Sequence, residues 1–182
     1  MHNLSHAAAL PPSPWVLRFA ALIRAGGEVL DLACGEGRHA RALAGLGLRV
    51  EAVDRDIGAL AALADTANVG VRQADLEGGP WPYAGRGFDA IVVTNYLHRP
   101  LFPLLVDALR EGGVLIYETF MSGNERFGRP SNPDFLLRPG ELLEAFGSLQ
   151  VVAFEQGEAA LPKPAAVQRL CAVRGAGPWR LP

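Results

Sequence analysis

Residues 29–40 read VLDLACGEGRHA: an apolar run, an aspartate, then a turn carrying Gly35 and Gly37 before a helix-like stretch. Gly35, Gly37 and Ala40 fit the Gly-x-Gly-x-x-Ala spacing of a phosphate-binding turn that follows a strand and opens a helix. The aspartate decides between ligands. A dinucleotide pyrophosphate over this turn would face the negative charge of Asp31, whereas a ligand with an ammonium and a sulfonium would be attracted by it.

Outward from this turn the pattern alternates. GEVLDLA (27–33) reads as a strand and RHARALAGLG (38–47) as a helix; LRVEAVD (48–54) is a strand and IGALAALADTA (57–67) a helix; VGVRQADL (69–76) is a short strand. After the loop 77–87 come a strand in FDAIVVTNY (88–96), a helix over PLFPLLVDALREGG (100–113) and the strand VLIYETF (114–120). Strands separated by helices predict right-handed crossovers and a parallel sheet covered on both faces. The end departs from this rhythm. A long loop (121–139) and the short helix GELLEAFG (140–147) precede two strand-like runs, joined by a connection, EAALPKPAA (158–166), too short for a helical crossover. Those runs are expected to form an antiparallel hairpin at the sheet edge. The fold class is therefore α/β, a three-layer, doubly wound sheet.

The chain has 182 residues, enough for one core, and a formal charge of −2 that gives no global basic field for nucleic acid. Residues 1–14, small, polar and proline-rich, read as a flexible arm ahead of a single domain spanning 15–182. Two cysteines, Cys34 and Cys171, form neither a disulfide framework nor a metal-ligand set, so no metal is expected and a reducing cytoplasm is the simplest setting. The start of the chain lacks the charged end and apolar core of a signal peptide, and no apolar run reaches the roughly 18 residues that span a bilayer. No membrane association is expected.

Two further acids stand where later strands end. Asp54 closes the second strand, where a carboxylate accepts the hydroxyls of a ribose, and Asp75 follows the third, beside backbone amides that can read an adenine edge. Each singly also fits a helix cap or a turn. Together, with no basic residue to meet a phosphate, they describe adenosine joined to a positively charged zwitterionic tail.

VLDLACGEG, AVDRD, QADLE and the order of elements resemble a class I S-adenosylmethionine-dependent methyltransferase, over about Trp15 to Arg174; more narrowly the chain is similar to small bacterial methyltransferases of the tellurite-resistance type. The resemblance implies a seven-stranded Rossmann-like sheet with an antiparallel C-terminal hairpin. It also implies that S-adenosylmethionine is bound and S-adenosylhomocysteine released. The methionine moiety would lie along Asp31, Ala33, Cys34, Gly35 and Gly37, the ribose at Asp54 and Arg55, the adenine at Asp75 and Leu76, with Asn95 closing the cofactor set. Cys34 is read as a small packed residue rather than a nucleophile.

The acceptor pocket should lie beyond the carboxyl ends of the strands, drawing on 94–99, 118–120 and the loop 121–138. His98 or Glu118 is the candidate base and Tyr96 an orienting group, for an acceptor that must lose a proton. His98 equally fits a simple helix cap ahead of Pro100. Trp15, Arg126 and Arg129 are candidates for a substrate lid, the arginines for an acidic acceptor. The run TNYL lacks the prolines of the Asn/Asp-Pro-Pro-Tyr/Phe pattern that amine- and amide-modifying enzymes often carry here. The expectation is a monomer or weak homodimer acting on a small molecule, with no obligatory nucleic acid. A nucleic-acid or protein methyltransferase, a non-catalytic S-adenosylmethionine-binding module and a nicotinamide-dependent oxidoreductase are the rivals.

Overall fold

Alternate residues of the central strands enter two different cores. Leu30, Leu32, Ile91, Val93, Leu115 and Tyr117 pack on one side of the sheet, and Val29, Ala90, Val92, Val114 and Ile116 on the other, all 1% exposed or less. Strand geometry sends successive side chains to opposite faces, so runs as apolar as IVV bury only if both faces are covered. The computed structural model describes residues 10–160, 162–177, 179 and 181–182.

The covering layers follow from chain order. Helices α1 (Pro14–Phe19), α2 (Arg38–Gly45) and α3 (Ile57–Ala61) belong to one face; α4 (Phe102–Asp107) and α5 (Glu141–Ala145) belong to the other. The strands are β1 (Glu28–Leu32), β2 (Arg49–Asp54), β3 (Val69–Gln73), β4 (Phe88–Thr94), β5 (Leu109–Phe120), β6 (Gln150–Ala159) and β7 (Ala165–Val173), in the spatial order β3-β2-β1-β4-β5-β7-β6. β1 through β5 pair in parallel, and β7 inserts antiparallel between β5 and β6. The expected hairpin is present, and β6 is its edge. Strand order reverses between β1 and β4, which opens a crevice at their carboxyl ends.

Two expectations are corrected. The helix over 100–113 ends at Asp107, and Leu109 already pairs with Phe88. Gly112 at φ 75° cannot continue a helix, and the Ala108 carbonyl accepts from the Phe88 amide at 2.8 Å, so sheet pairing wins from Leu109 onward. The helix over 57–67 stops at Ala61, and no helix joins β3 to β4, so edge strand β3 stays largely exposed. In place of a helix, Tyr83 from the loop 77–87 plugs the core edge-on against Phe88, at 5.3 Å between ring centroids.

The expectation of a loose arm falls, for residues 1–9, outside the described residues. Ser13 caps α1 through a hydrogen bond from the Trp15 amide at 3.1 Å, with Pro14 in the first turn. No helix among the described residues is long and apolar enough to cross a membrane.

The two ends of the sheet differ in their charges. At the amino ends, Glu28 and Asp89 are paired with Arg24, Arg86 and Arg110 at 2.6–2.9 Å. At the carboxyl ends, Asp31, Asp54 and Asp75 make no salt bridge among the described residues. One end is neutralised within the fold, the other is left negative.

Candidate cofactor and acceptor site

The turn after β1 packs three left-handed residues into five positions: Ala33 at φ 52°, Gly35 at φ 54° and Gly37 at φ 74°. The two glycines serve different ends. A Cβ on Gly37 would meet Leu63 Cδ1 at 2.3 Å, so Gly37 lets α2 settle against the buried Leu63. A Cβ on Gly35 would meet nothing within 4 Å, so the space over that backbone is open to a ligand.

Asp31 is 1% exposed, beneath the first turn of α2, and neither carboxylate oxygen has a hydrogen-bond partner of ordinary geometry. Burial pushes its carboxyl up to about 7, against the weaker pull of the Ala40 amide and the Arg38 guanidinium. A buried, unpartnered acid is costly, which marks a site rather than a packing solution. Asp54 is oriented instead: its Oδ2 accepts from the Gly35 amide at 2.8 Å and its Oδ1 from Asp56 at 3.0 Å, each oxygen keeping a free lone pair. Asp75 accepts from the Glu77 and Gly78 amides at 3.0 and 3.1 Å, and those hydrogen bonds hold its carboxyl below the ordinary range.

Ala33, Asp54, Arg55, Asp75, Leu76 and Asn95 converge on one cavity of about 250 Å³. The remaining sequence candidates, Asp31, Cys34, Gly35 and Gly37, belong to the adjoining turn. Cys34 is buried, and desolvation raises its thiol far above the ordinary range, as for an inert packed residue. Tyr96, expected among the orienting groups of the acceptor pocket, borders this smaller cavity beside Glu77; burial, then the Glu77 charge, raises its phenol.

A second cavity of about 960 Å³ opens on the other side of Asn95, the one described residue bordering both. Its walls come from residues 10–15, the ends of β5 and β7, and the loops 121–139 and 159–165. Trp15 stands in this wall, 5% exposed, edge-on to Phe19 and donating Nε1–H to the Leu170 carbonyl at 3.4 Å. Glu118 borders the cavity with Oε2 held by Arg169 Nε at 2.7 Å, so it is occupied by a guanidinium. His98 borders neither cavity, lying near Asp75. Arg129 lines the larger cavity, whereas Arg126 is paired with Glu158 at 2.6 Å on the surface.

His39, which sequence reasoning did not single out, and Arg99, expected in the acceptor pocket but bordering neither cavity, support this region. His39, 1% exposed, accepts the Ser13 amide on Nε2 at 3.0 Å and meets Thr94 Oγ1 through Nδ1 at 3.2 Å. Nδ1 therefore carries the proton, and burial holds the imidazole down to about 4. Its inward position on α2, in register with Leu43, was the available signal. Arg99 grips Glu141 at 2.6 and 3.1 Å and donates to the Asp134 and Leu136 carbonyls, clamping the loop 121–139 onto α5. Arg99→Met leaves Glu141, 4% exposed, short of its partner and is expected to cost about 2 kcal/mol. A lower urea midpoint and faster tryptic cleavage after Arg126 check this; an unchanged digest would show that the clamp does not hold the loop.

Comparison with known proteins bears on the same region. Residues 29–113 match the family model described as "Methyltransferase domain", a span running from β1 into β5. No curated protein sequence matches the chain. Among solved structures, TehB from Haemophilus influenzae superposes with a TM-score of 0.73 at 21% identity, over 87% of this chain and 61% of that one. The chain thus spans about three-fifths of TehB. A TehB-like SAM-dependent methyltransferase from Corynebacterium glutamicum gives 0.65 at 19% identity over 88% and 86% of the two chains. The glycopeptide N-methyltransferase MtfA, complexed with sinefungin, gives 0.65 at 18% over 95% and 90%. The methyltransferase-domain match spans 85 of the chain's 182 residues, and the chain shares the Rossmann-like fold of these solved methyltransferases.

Proposed function

We propose that the chain carries a methyl group from S-adenosylmethionine to a small-molecule acceptor held in the larger cavity. One observation carries the reading: an acidic cavity and a larger, partly apolar one meet at Asn95, at the switch point of the sheet. The residues fit the cofactor. The orphaned carboxylate of Asp31 suits an ammonium, the open space over Gly35 admits the amino-acid tail, Asp54 has lone pairs free for ribose hydroxyls, and Asp75 with Leu76 frames the adenine.

S-adenosylmethionine supplies an electrophilic methyl group on a sulfonium. The chain's own contribution is alignment. Asn95, left-handed at φ 55°, turns the backbone at the end of β4, where the two cavities meet. Tyr117 donates its hydroxyl to the Tyr96 carbonyl at 2.9 Å, fixing the segment that follows. With Glu118 held by Arg169 and His98 outside the larger cavity, an acceptor arriving as its unprotonated nucleophile is the case these walls suit. The enclosure by residues 10–15 and the two loops favours a small molecule over a polymer.

Parallel calorimetric titrations with S-adenosylmethionine, S-adenosylhomocysteine and NAD test the proposal. The first two are expected to bind and NAD not. Binding of NAD alone would overturn it.

A further inference from the structure

The larger cavity carries an imbalance of charge opposite to that of the smaller one. Arg18, Arg38, Arg129, Lys163 and Arg169 line it, against the carboxylates of Glu118 and Glu155. Both acids are engaged by the same residue: Arg169 meets Glu118 at 2.7 Å and Glu155 at 3.1 Å. Arg18, Arg38, Arg129 and Lys163 make no salt bridge among the described residues. What they do meet is carbonyl or ring: Arg38 donates to Pro11 at 3.2 Å, and Arg18 lies over the Phe19 ring while donating weakly to Pro182. In a chain of net charge −2, Arg38, Arg129 and Lys163, set on one concave surface with no salt bridge among the described residues, make a focused positive field.

Between those cations the walls are apolar and partly aromatic: Trp15, Phe120, Phe127, Pro164 and Val167. Phe127 is 39% exposed, with the Arg126 guanidinium 5.3 Å from its ring centroid. A volume of about 960 Å³ is near the top of the range, roughly 300–1,000 Å³, that drug-sized ligands occupy. A bare inorganic anion would leave these walls wet, and a neutral apolar compound would leave the guanidinium groups without partners.

Resting on the methyltransferase reading, we infer that the acceptor is an amphipathic organic anion: a flat apolar body against Trp15 and Phe120, with a carboxylate, sulfonate or phosphate group met by Arg129 and Lys163 at the rim. The two cavities then divide the electrostatics. The acidic one takes the cationic cofactor and the basic one the anionic acceptor, so each repels the other's ligand.

The test uses two dyes that share one apolar body. 8-Anilinonaphthalene-1-sulfonate carries an anion and N-phenyl-1-naphthylamine does not. Each is titrated by fluorescence into the full chain saturated with S-adenosylhomocysteine, whose binding is measured calorimetrically on the same preparation. The sulfonate is expected to bind at least tenfold more tightly than the amine, with one site per chain and an affinity that falls as salt is raised. The double variant Arg129→Gln, Lys163→Gln, both at exposed positions, is expected to lose about tenfold for the sulfonate and less than twofold for the amine. Equal affinities for the two dyes, or a preference untouched by the double variant, overturn the inference while normal S-adenosylhomocysteine binding leaves the methyltransferase reading standing. Absence of S-adenosylhomocysteine binding overturns both.

Discussion

Replacing Asp31 with asparagine is expected to weaken S-adenosylmethionine binding at least tenfold while making the ligand-free protein more stable at pH 8. Both effects arise from one buried carboxylate. Its folded value of about 7 lies above the ordinary 3.8, so the folded state binds the proton more tightly than the unfolded one. The resulting cost is absent below about pH 4, grows as pH rises, and is complete above pH 7. A displacement of about three pH units corresponds to about 4 kcal/mol, and the unpaired amide of asparagine returns about 2 kcal/mol of that. The net gain is a rise of about 4–8 °C in the unfolding temperature at pH 8, shrinking towards pH 5. His39 acts in the opposite direction. Held down to about 4, it makes stability fall as pH drops from about 6.5 to 4, but equally in both proteins, so the comparison isolates Asp31. Differential scanning calorimetry at pH 5 and 8, with a cofactor titration, decides the matter. A variant no more stable at pH 8, or one that binds cofactor as the parent does, would remove the role assigned to this charge.

The second large effect separates the two glycines of the same turn. Gly37→Ala forces a side chain into a left-handed position and against Leu63, which is fully buried and cannot retreat. We expect a loss of about 3 kcal/mol, or about 6–12 °C in unfolding temperature, with binding lost only as the fold is lost. Gly35→Ala pays the left-handed conformation alone, about 1 kcal/mol, because its Cβ meets nothing. Its methyl group occupies the space assigned to the ligand, so S-adenosylhomocysteine affinity is expected to fall at least tenfold in a protein that still folds. Unaltered affinity in Gly35→Ala would mean that no ligand approaches the backbone there. Alanine already tolerates such a conformation at Ala33, φ 52°, so the penalty alone does not forbid the variant.

Much of this architecture follows from local pattern. Apolar runs such as Val29–Leu30 and Ile91–Val93 require burial on both faces, and the intervening helices supply the cover, which leads to a parallel sheet and a crevice at its reversal point. The short, proline-containing link at 158–166 rules out a crossover and so makes the last two strands a hairpin. The acids at the strand ends were legible because period and position place them at one edge. Leu109 to Gly113 were misread because helix periodicity continues through DALRE, and only competition from the Phe88 backbone shows where the strand begins. His39 was passed over, and Arg99 was assigned to the acceptor pocket rather than to a clamp, for a related reason: their partners lie 26 residues away at Ser13 and 42 away at Glu141.

The sequence by itself determined the layering and the strand order's reversal and led to the proposed cofactor class, because burial period, crossover length and the charge of Asp31 are local properties of the chain. Tertiary structure alone decided that Asp31 has no partner, that Glu118 is held by Arg169 rather than left free as a base, and that Arg18, Arg38, Arg129 and Lys163, scattered over 146 positions, face one cavity. Pairing and convergence depend on distances across the fold, and spacing along the chain does not encode them.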